Sequence, residues 1–600
     1  MRQHPILLFP LLAAPLAADG GDGEHYFREP EVVESFGDPV TQLALESDEE
    51  LSVALFKVEG ASDSIAAVTS DGRAIEWSVP TTLSTSALLK DVQRDSIQVV
   101  GEQAAAFWLE RDAAGPGLDR VVVETYGAGA WDPGADGPLT IELGYPAGAT
   151  VDSWAALLKP GINGNLYAYV LAGLSVGGGP SRPFLSVSSI NGAFFSAAVP
   201  VATGGAAASV EGLALDSQQA EVHVSWTEDR AAAGTDEVFY RGGLADFVGN
   251  LIWFEDERVI SAGAGDVQGT PIVTVNGQKV GVGYIQVDGG ASPQAEVVAS
   301  ANSGFNFGAP ENVSGGVLDV FAIDLELSGE TFIVAWEQEK VNGKHEIRRG
   351  ESKTGTGFTN SQVSGEGGAE DHDASSPQIS RSVGLPAGSV MLWTEIDEDG
   401  GTEVITAFGD QDAGGEWHDE FPFVSEAEEA GALVVFEPRI AYNDRYYNFP
   451  MAWLQDTPGA PGVPSVHIGG YRPHDVDVDG WVAGVSTSIS FDIGHLPFED
   501  VFAFVLLGAG YAGGPGLPLM DGRNTGLLFD PFLTNFSISN FALFTAINDP
   551  AARGASTEPF GPVLLPAGLP LSMVAVSWGP YGELHHITDV ITAVSEVPAP

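Results

Sequence analysis

A short strand pattern recurs eight times along this 600-residue chain and constrains its fold more than any other feature. Each copy is an alternating apolar strand that ends in an aromatic or large aliphatic residue and is followed by a polar turn and a second strand. The last residues of successive copies lie 52 to 63 positions apart, which indicates one structural unit repeated along the chain. The copies are Ser52–Phe56, Ala104–Trp108, Tyr167–Leu171, Val222–Trp226, Val280–Tyr284, Phe332–Trp336, Ser389–Trp393 and Phe449–Trp453.

Further strands flank several of the copies. With a closing strand, each unit becomes a four-stranded antiparallel blade, and blades arranged radially leave only short, protected edges. The sequence therefore predicts an all-β fold, with a seven- or eight-bladed β-propeller over residues 19–473. Tandem two-sheet sandwiches are the alternative, but each would need roughly 100 residues, about twice the observed period. The flanking strands are Pro271–Val273, Pro377–Ile379 and Pro438–Ile440 upstream, and Glu237–Tyr240 and Glu403–Ile405 downstream.

The period stops after Gly480. Beyond it, short alternating segments separated by Gly/Pro turns predict a β-sandwich over residues 481–600, preceded by an acidic hinge at residues 474–480. The predicted strands are Ser486–Asp492, Val501–Leu507, Gly526–Phe529, Asn535–Ala546, Ser572–Trp578 and Ile587–Val594.

Residues 1–18 have the pattern of an export signal. Arg2 supplies the positive start, Ile6–Ala17 is apolar, and Leu16–Ala18 offers a small residue at the cleavage site. A short buried helix is the alternative, which Pro10 and Pro15 disfavour. No later segment reaches the roughly 20 apolar residues of a spanning helix. The mature protein is therefore expected outside the cytoplasm, secreted or on the extracellular surface, with no membrane span.

Charge and cysteine content narrow the classes of partner and chemistry. The chain has 82 acidic and 25 basic residues, a formal net charge of -57, and no cysteine. Such a field repels phosphate backbones, so no nucleic-acid partner is expected. The lack of cysteine excludes disulfides, thiolate zinc sites and thiol catalysis. An extracellular glycan or protein is the expected partner.

Several segments resemble the sialidase-like propellers that carry BNR repeats. Val222–Arg230 followed by Asp236–Arg241 looks like one of their blades, and the likeness extends over roughly residues 30–473. Their Asp-box turn, S-x-D-x-G-x-x-W, has four similar segments in this chain. These are Asp410–Trp417, which lacks only the first serine, Ser300–Phe307, with Asn for Asp and Phe for Trp, and the looser Asp71–Trp77 and Gly127–Trp131. Phe504–Gly508 and Gly516–Leu519 resemble a C-terminal β-sandwich module of secreted bacterial proteins.

The family likeness implies a test for catalysis. An active sialidase needs an arginine cluster for the substrate carboxylate, a tyrosine nucleophile helped by a glutamate, and an aspartic acid. Phe27–Pro30 resembles the Arg-Ile-Pro motif that supplies one arginine, with Glu29 where the family has an apolar residue. The alternative is an N-terminal segment that leads into the first blade. No complete catalytic set is evident, so the sequence favours a noncatalytic binding or surface module, with a sialidase-type glycoside hydrolase as the alternative.

Two acidic segments have the spacing of calcium loops. Glu395, Asp397, Asp399 and Glu403 occupy positions 1, 3, 5 and 9, with glycine at position 6, and resemble the calcium hairpins of integrin-type propellers. An acidic Asp-Gly hairpin is the alternative.

The second acidic segment comprises Asp475, Asp477 and Asp479, which alternate before Gly480. Positions 9 and 12 there are Ala483 and Ser486, so a solvated hinge is the alternative. Calcium is the one cofactor predicted.

Overall fold

A computed structural model gives the fold of the chain. It describes residues 26–594 apart from 34–37, 73, 75–76, 112–118, 133–138, 142–148, 161–165, 189–194, 205–208, 231–234, 247–249, 262–264, 290, 317, 365–372, 381–388, 397–401, 410–420, 424–433, 444–447, 458–459, 473–474, 480–485, 495–500, 509–516, 520–524, 526, 532, 549–554, 565–569, 580–583 and 589–590. The chain forms two compact units, one of Phe27–Tyr471 and one that contains Arg472–Pro600. Almost every described element is a strand, which confirms the all-β prediction.

The described residues of the unit Phe27–Tyr471 form eight antiparallel sheets, numbered here in chain order. Sheet 1 has strands β2 (Val40–Asp48), β3 (Leu51–Val58), β4 (Ser64–Asp71) and β5 (Thr81–Ser84). Sheet 2 has β6 (Leu89–Asp91), β7 (Ile97–Val100), β8 (Gln103–Arg111), β9 (Arg120–Gly127), β10 (Ala130–Asp132) and β11 (Leu139–Ile141). Sheet 3 has β12 (Ala149–Pro160), β13 (Leu166–Val176), β14 (Arg182–Ser188) and β15 (Val199–Pro200). Sheet 4 has β16 (Val210–Gln218), β17 (Glu221–Asp229), β18 (Asp236–Ala245), β19 (Leu251–Trp253) and β20 (Arg258–Val259).

The other four sheets continue the series. Sheet 5 has β21 (Gly265–Asn276), β22 (Lys279–Asp288), β23 (Gln294–Ser300) and β24 (Glu311–Asn312). Sheet 6 has β25 (Val320–Ser328), β26 (Thr331–Glu339), β27 (His345–Ser352) and β28 (Thr359–Gln362). Sheet 7 has β29 (Asp373–Ile379), β30 (Ser389–Ile396), β31 (Thr402–Gly409) and β32 (Phe421–Phe423). Sheet 8 has β33 (Val435–Ile440), β34 (Phe449–Thr457), β35 (Ala460–Arg472) and, from the start of the chain, β1 (Tyr26–Val32).

The eight sheets form a ring. One inner strand of each sheet contacts the inner strand of the next, in the cyclic order β2, β7, β12, β16, β21, β25, β29, β33 and back to β2. In sheet 8, β1 lies next to β35, and the N–H of Val33 donates to the carbonyl of Val466 over 3.0 Å. The ring is therefore closed by pairing its first strand with its last.

The repeated pattern lies on the strand at the middle of each sheet. The eight copies fall on β3, β8, β13, β17, β22, β26, β30 and β34, one in each sheet, and their last residues are all completely buried. In five sheets that residue is a tryptophan whose indole N–H donates to the side chain two positions later. The pairs are Trp108–Glu110, Trp226–Glu228, Trp336–Gln338, Trp393–Glu395 and Trp453–Gln455, at 3.0 to 3.3 Å. This pairing explains how an indole N–H can be buried without losing its hydrogen bond.

The C-terminal unit has two antiparallel sheets that share one buried apolar cluster. The first has β36 (Asp475–Asp479), β37 (Ser486–Gly494), β40 (Ala555–Ser556) and β41 (Phe560–Leu564). The second has β38 (Phe502–Gly508), β39 (Thr545–Ile547), β42 (Pro570–Trp578), β43 (Leu584–Ile587) and β44 (Ile591–Val594).

Three local predictions need correction in this unit. The first is the strand predicted over Gly526–Phe529, because its described residues, Leu527–Phe529, belong to none of the strands. The strand predicted over Asn535–Ala546 is instead helix α1 (Leu533–Ser539), a 3-10 turn (Phe541–Leu543) and β39. Asp530 Oδ1 accepts the N–H of Leu533 over 2.7 Å and caps the helix, a signal that the alternation of apolar residues obscured. Most of the predicted acidic hinge is strand β36, because Val476 and Val478 are buried in the core. No helix in the described residues is long and apolar enough to cross a bilayer.

Candidate functional site at the centre of the ring

A 3-10 turn carries charged residues into the centre of the ring. This turn, Arg94–Ser96, lies between β6 and β7 and contacts the inner strands β2 and β12 of the sheets on either side. The N–H of Gln93 donates to Ser96 Oγ over 2.7 Å, and the N–H of Ser96 donates to the Gln93 carbonyl over 3.0 Å. These two bonds fix the turn, so Arg94 and Asp95 are presented from a rigid element.

Arg94 reaches across the ring to sheet 6. Its Nη1 lies 2.9 Å from Asp324 Oδ1, and sheets 2 and 6 are opposite each other in a ring of eight. The Asp324 side chain is only 2% exposed, and its Oδ2 also accepts the N–H of Ile379 in sheet 7 over 2.7 Å. Desolvation lowers the pKa of Arg94, but the charge of Asp324 and the hydrogen bond to it outweigh this and raise it. The guanidinium is therefore held charged.

A second arginine joins the last sheet to the first. Arg439 Nε donates to the Leu43 carbonyl over 2.9 Å, and its Nη2 lies 3.2 Å from Glu437 Oε2. The same Glu437 oxygen accepts the N–H of Leu43 over 3.2 Å. Glu437 lies in a β-bulge of β33 between Phe436 and Arg439, where its backbone has a φ of 51°. Burial lowers the pKa of Arg439 and raises that of Glu437, so each charge depends on the other.

Two further carboxylates face this region. Asp216 in sheet 4 accepts the N–H of Val275 in sheet 5 over 2.7 Å and that of Ser217 over 2.8 Å. Asp95 is exposed to solvent within the ring, and its carboxylate has no hydrogen-bond partner among the described residues. Desolvation raises the pKa of Asp95. The positive charges of Arg94 and Arg439 lower this pKa, and the negative charges of Asp216 and Asp324 raise it further. Asp324, Asp216 and Glu437 thus act as acceptors that join neighbouring sheets, whereas the Asp95 carboxylate does not.

Chemically, the centre holds two arginines among four carboxylates, and Asp324 and Glu437 are the two that bind the arginines directly. Both central arginines are engaged by carboxylates of the chain itself, whereas a sialidase requires arginines that bind the substrate carboxylate. Arg28, suggested by the Arg-Ile-Pro likeness, lies in β1, and its side chain is outside the described part of the structure. Nothing in the local sequence around Arg94 or Asp324 indicated their pairing, because 230 positions separate them.

The described ligands of the first predicted calcium site, Glu395 and Glu403, lie on the neighbouring strands β30 and β31. Glu395 in β30 is 3% exposed, and its Oε2 accepts the Trp393 indole N–H over 3.0 Å. Glu403 lies directly opposite it on β31. Asp397 and Asp399 are outside the described residues. Asp475, Asp477 and Asp479 lie in strand β36, opposite Gly494, Asp492 and Ser490 of β37. Where the structure describes side chains, no three His, Asp or Glu residues are grouped as metal ligands.

The segment Ser300–Phe307 forms a turn between β23 and β24. Ser300 Oγ accepts the N–H of Gly304 over 3.1 Å, and Asn302 Oδ1 accepts that of Asn306 over 2.9 Å. Gly304 has φ of 77°, and a Cβ there would lie 1.8 Å from Tyr240 Oη. Its aromatic rings pack on the preceding sheet, Phe305 against Phe254 and Phe307 against Tyr240. The turn therefore joins sheets 4 and 5.

The sequence prediction missed a second turn of this kind, Ser352–Phe358 in sheet 6. Ser352 Oγ accepts the N–H of Thr356 over 3.1 Å, and Glu311 of sheet 5 accepts the N–H groups of Gly357 and Phe358. The serine and the aromatic residue were the available signal, but threonine replaces aspartate and the spacing is one residue shorter. The segment Asp410–Trp417 lies outside the described residues.

Comparisons with known proteins show likeness in solved structures only. No protein-family model and no curated protein matches the chain. A polysaccharide lyase that is an ulvan lyase has 11% identity and a TM-score of 0.41 over 67% of this chain and 100% of its own. The β-propeller domain of the Trilobed protease from Pyrococcus furiosus has 8% identity and a TM-score of 0.35 over 65% and 98%. Trypanosoma rangeli sialidase has 10% identity and a TM-score of 0.31 over 77% and 86%.

Proposed function

We propose that the protein is a secreted, noncatalytic binding module, built as an eight-bladed β-propeller of the sialidase-like type followed by a β-sandwich. Its partner is an extracellular glycan or protein. The observation that carries this proposal is the internal pairing of the two central arginines, Arg94 with Asp324 and Arg439 with Glu437. A group that already binds a carboxylate of its own chain is a poor receptor for the carboxylate of a substrate.

The hydrogen bonds around these pairs support the same conclusion. Asp324, Asp216 and Glu437 each accept a backbone N–H from the next sheet of the ring. Substrate could displace them only by leaving buried N–H groups without an acceptor, and each such group costs about 1 to 3 kcal/mol. The central charges are therefore best explained as the bonds that hold the ring together.

Calcium is proposed as a stabilising ion at Glu395, Asp397, Asp399 and Glu403, with Asp475, Asp477 and Asp479 as the second candidate site. Alternate carboxylates before a glycine supply the oxygen ligands that calcium prefers. At the first site, one oxygen of Glu395 already accepts an indole N–H.

The test uses the mature chain beginning at Asp19 and measures hydrolysis of a fluorogenic sialoside alongside binding to a glycan array. We expect no hydrolysis above the buffer blank. Arg94→Lys and Arg348→Lys serve as a pair, because Arg348 also binds a carboxylate, that of Glu346, but lies on β27. Hydrolysis that is abolished by Arg94→Lys and kept by Arg348→Lys would reject the noncatalytic module and establish the glycoside hydrolase alternative.

A further inference from the structure

The helix α1 of the C-terminal unit buries polar side chains and exposes apolar ones. The buried residues of α1 are Thr534 and Ser537, whose hydroxyls bind the backbone of β38: Thr534 Oγ1 donates to the Leu507 carbonyl over 2.9 Å. The exposed side carries Phe536, 39% exposed, and Ile538, 53% exposed. A helix that only had to pack on its own sheet would bury these apolar side chains instead. Their exposure makes this side of α1 a candidate surface for a ligand.

The exposed rings are fixed in place before any ligand arrives. Phe541, 40% exposed, stacks on Phe504 of β38 with ring centroids 4.7 Å apart. Phe536 packs edge-on against the buried Phe544 at 5.7 Å. Beside Phe541, Ser539–Leu543 line an open, shallow depression of about 450 Å³, to which Phe536 does not contribute. Rings held in this way lose little conformational entropy on binding.

The segment that carries this surface has no charged residue, although the chain as a whole is strongly acidic. Residues 531–548 contain four phenylalanines and no charged residue, in a chain of which 18% is charged. An acidic ligand would be repelled by the net charge of -57, and a basic one would bind the many carboxylates elsewhere. A second copy of the chain would bring the same negative field. A neutral ligand is therefore the one that this surface favours over the rest of the molecule.

Polar groups beside the rings narrow the ligand further. Asn540 Nδ2 donates to the Phe536 carbonyl over 2.8 Å, and Asn535 Nδ2 donates to the Pro531 carbonyl over 2.6 Å. Both bonds hold the amides in place, and each Oδ1 has no hydrogen-bond partner among the described residues. Aromatic faces beside amide acceptors match a sugar, which presents apolar C–H groups on its ring face and hydroxyl donors at its edge.

We propose that the surface formed by Phe536, Ile538, Ser539, Asn540 and Phe541 binds a neutral polysaccharide. This inference rests on the proposed binding function and assigns it to the C-terminal unit, with the sugar ring stacked on Phe541 and its hydroxyls bound to Asn540.

The experiment measures binding of polysaccharides to the full chain by affinity gel electrophoresis and calorimetry. The neutral polymers are hydroxyethyl cellulose, laminarin, xylan, starch and glycol chitin, and the acidic polymer is polygalacturonate. We expect at least one neutral polymer to bind and polygalacturonate not to bind. Phe541→Ala should weaken binding about tenfold, as the loss of one stacked ring predicts, and Phe541→Tyr should retain it. Val341→Ala, at a 96% exposed site in the ring, is the matched control and should change nothing.

Ile538→Ala keeps the test decisive if Phe541→Ala does not fold, because Ile538 is more than half exposed. Binding of none of the neutral polymers, or binding that both variants leave unchanged, would overturn the proposal. Sedimentation velocity adds a further outcome: self-association that Ile538→Ala abolishes would assign the surface to a second copy and overturn it. Failure here is distinct from failure of the noncatalytic function, which depends on hydrolysis of the sialoside.

Discussion

The centre of the ring and the exposed side of α1 place their side chains in opposite ways. At the centre, Asp324 is buried and charged, yet its oxygens are satisfied by Arg94 and by backbone N–H groups. On α1, Phe536 and Ile538 are apolar and exposed, while the hydroxyl of Thr534 is buried. The first arrangement is explained by contacts within the chain. The second leaves apolar surface in water, and this difference is why we assign structure to the centre and binding to the helix.

The largest effect is expected at the centre. Asp324→Ala removes the partner of Arg94 and the acceptor of the Ile379 N–H, so we expect it to lower the free energy of unfolding by about 4 kcal/mol. Urea unfolding followed by tryptophan fluorescence measures this value. Glu330→Ala is the control, because Glu330 is 89% exposed in its pair with Lys279 and should change stability by no more than about 1 kcal/mol. Equal effects of the two variants would remove the structural assignment of the centre.

A second prediction concerns pH. Burial lowers the pKa of His223 and of His467 to about 4 in the folded protein, against about 6.5 when unfolded. The unfolded state therefore binds more protons between these values, and each histidine lowers the free energy of unfolding by about 3 kcal/mol as the pH falls from 6.5 to 4. His223→Gln should make the loss of stability on acidification smaller. Unfolding curves at pH 7 and pH 4 compare the two proteins.

Two carboxyl groups have the opposite effect on the pH dependence of stability and provide the control. Burial raises the pKa of Glu296 to about 7 and that of Asp236 to about 6, so they stabilise the folded state at low pH and lose this effect as the pH rises. Glu296→Gln should therefore make the acid loss steeper. If His223→Gln and Glu296→Gln changed the acid loss of stability in the same direction, the opposite pKa shifts assigned to these two residues would be contradicted.

The tryptophan pairs give a third prediction and a test for calcium. Glu395→Ala should lower the free energy of unfolding by about 2 kcal/mol by leaving the Trp393 indole N–H unpaired, and Glu395→Gln should lower it little, since glutamine has this role in sheets 6 and 8.

Thermal melts with millimolar calcium, and with magnesium at matched ionic strength, test whether calcium stabilises the protein specifically. A calcium-specific rise in melting temperature that survives Asp397→Ala with Asp399→Ala would move the site to Asp475, Asp477 and Asp479.

The smallest effect is expected on the helix. Ile538→Ser removes apolar surface that is already more than half in water, so the free energy of unfolding should change by no more than about 0.5 kcal/mol. The same urea titration measures it, and Phe544→Ser, at a completely buried position, supplies the contrast. A loss of several kcal/mol for Ile538→Ser would show that this side of α1 is packed, and the comparison with the centre would no longer hold.

Local patterns in the sequence predicted the sheets well and the centre poorly. The eight copies could be found because burial in the middle of a sheet imposes the same alternation on every repeat. The Arg94 to Asp324 pair could not, because it depends on how opposite sheets face each other after the ring closes. The helix at Leu533–Ser539 was predicted as a strand because exposed Phe536 and Ile538 imitate the alternation of a half-buried strand. A prediction that takes every apolar residue to be buried therefore assigns the wrong secondary structure where apolar residues are exposed.

The pairing of β1 with β35 also sets an order of events during synthesis. The chain is made from its N-terminus, so Tyr26–Val32 leaves the ribosome long before Ala460–Arg472 exists. Seven sheets can form their hairpins in turn, from contacts that are local in the chain, while the edge of the eighth waits. The seam between the first and last strands closes the longest loop in the unit, so its formation marks the point at which the ring becomes a single cooperative body.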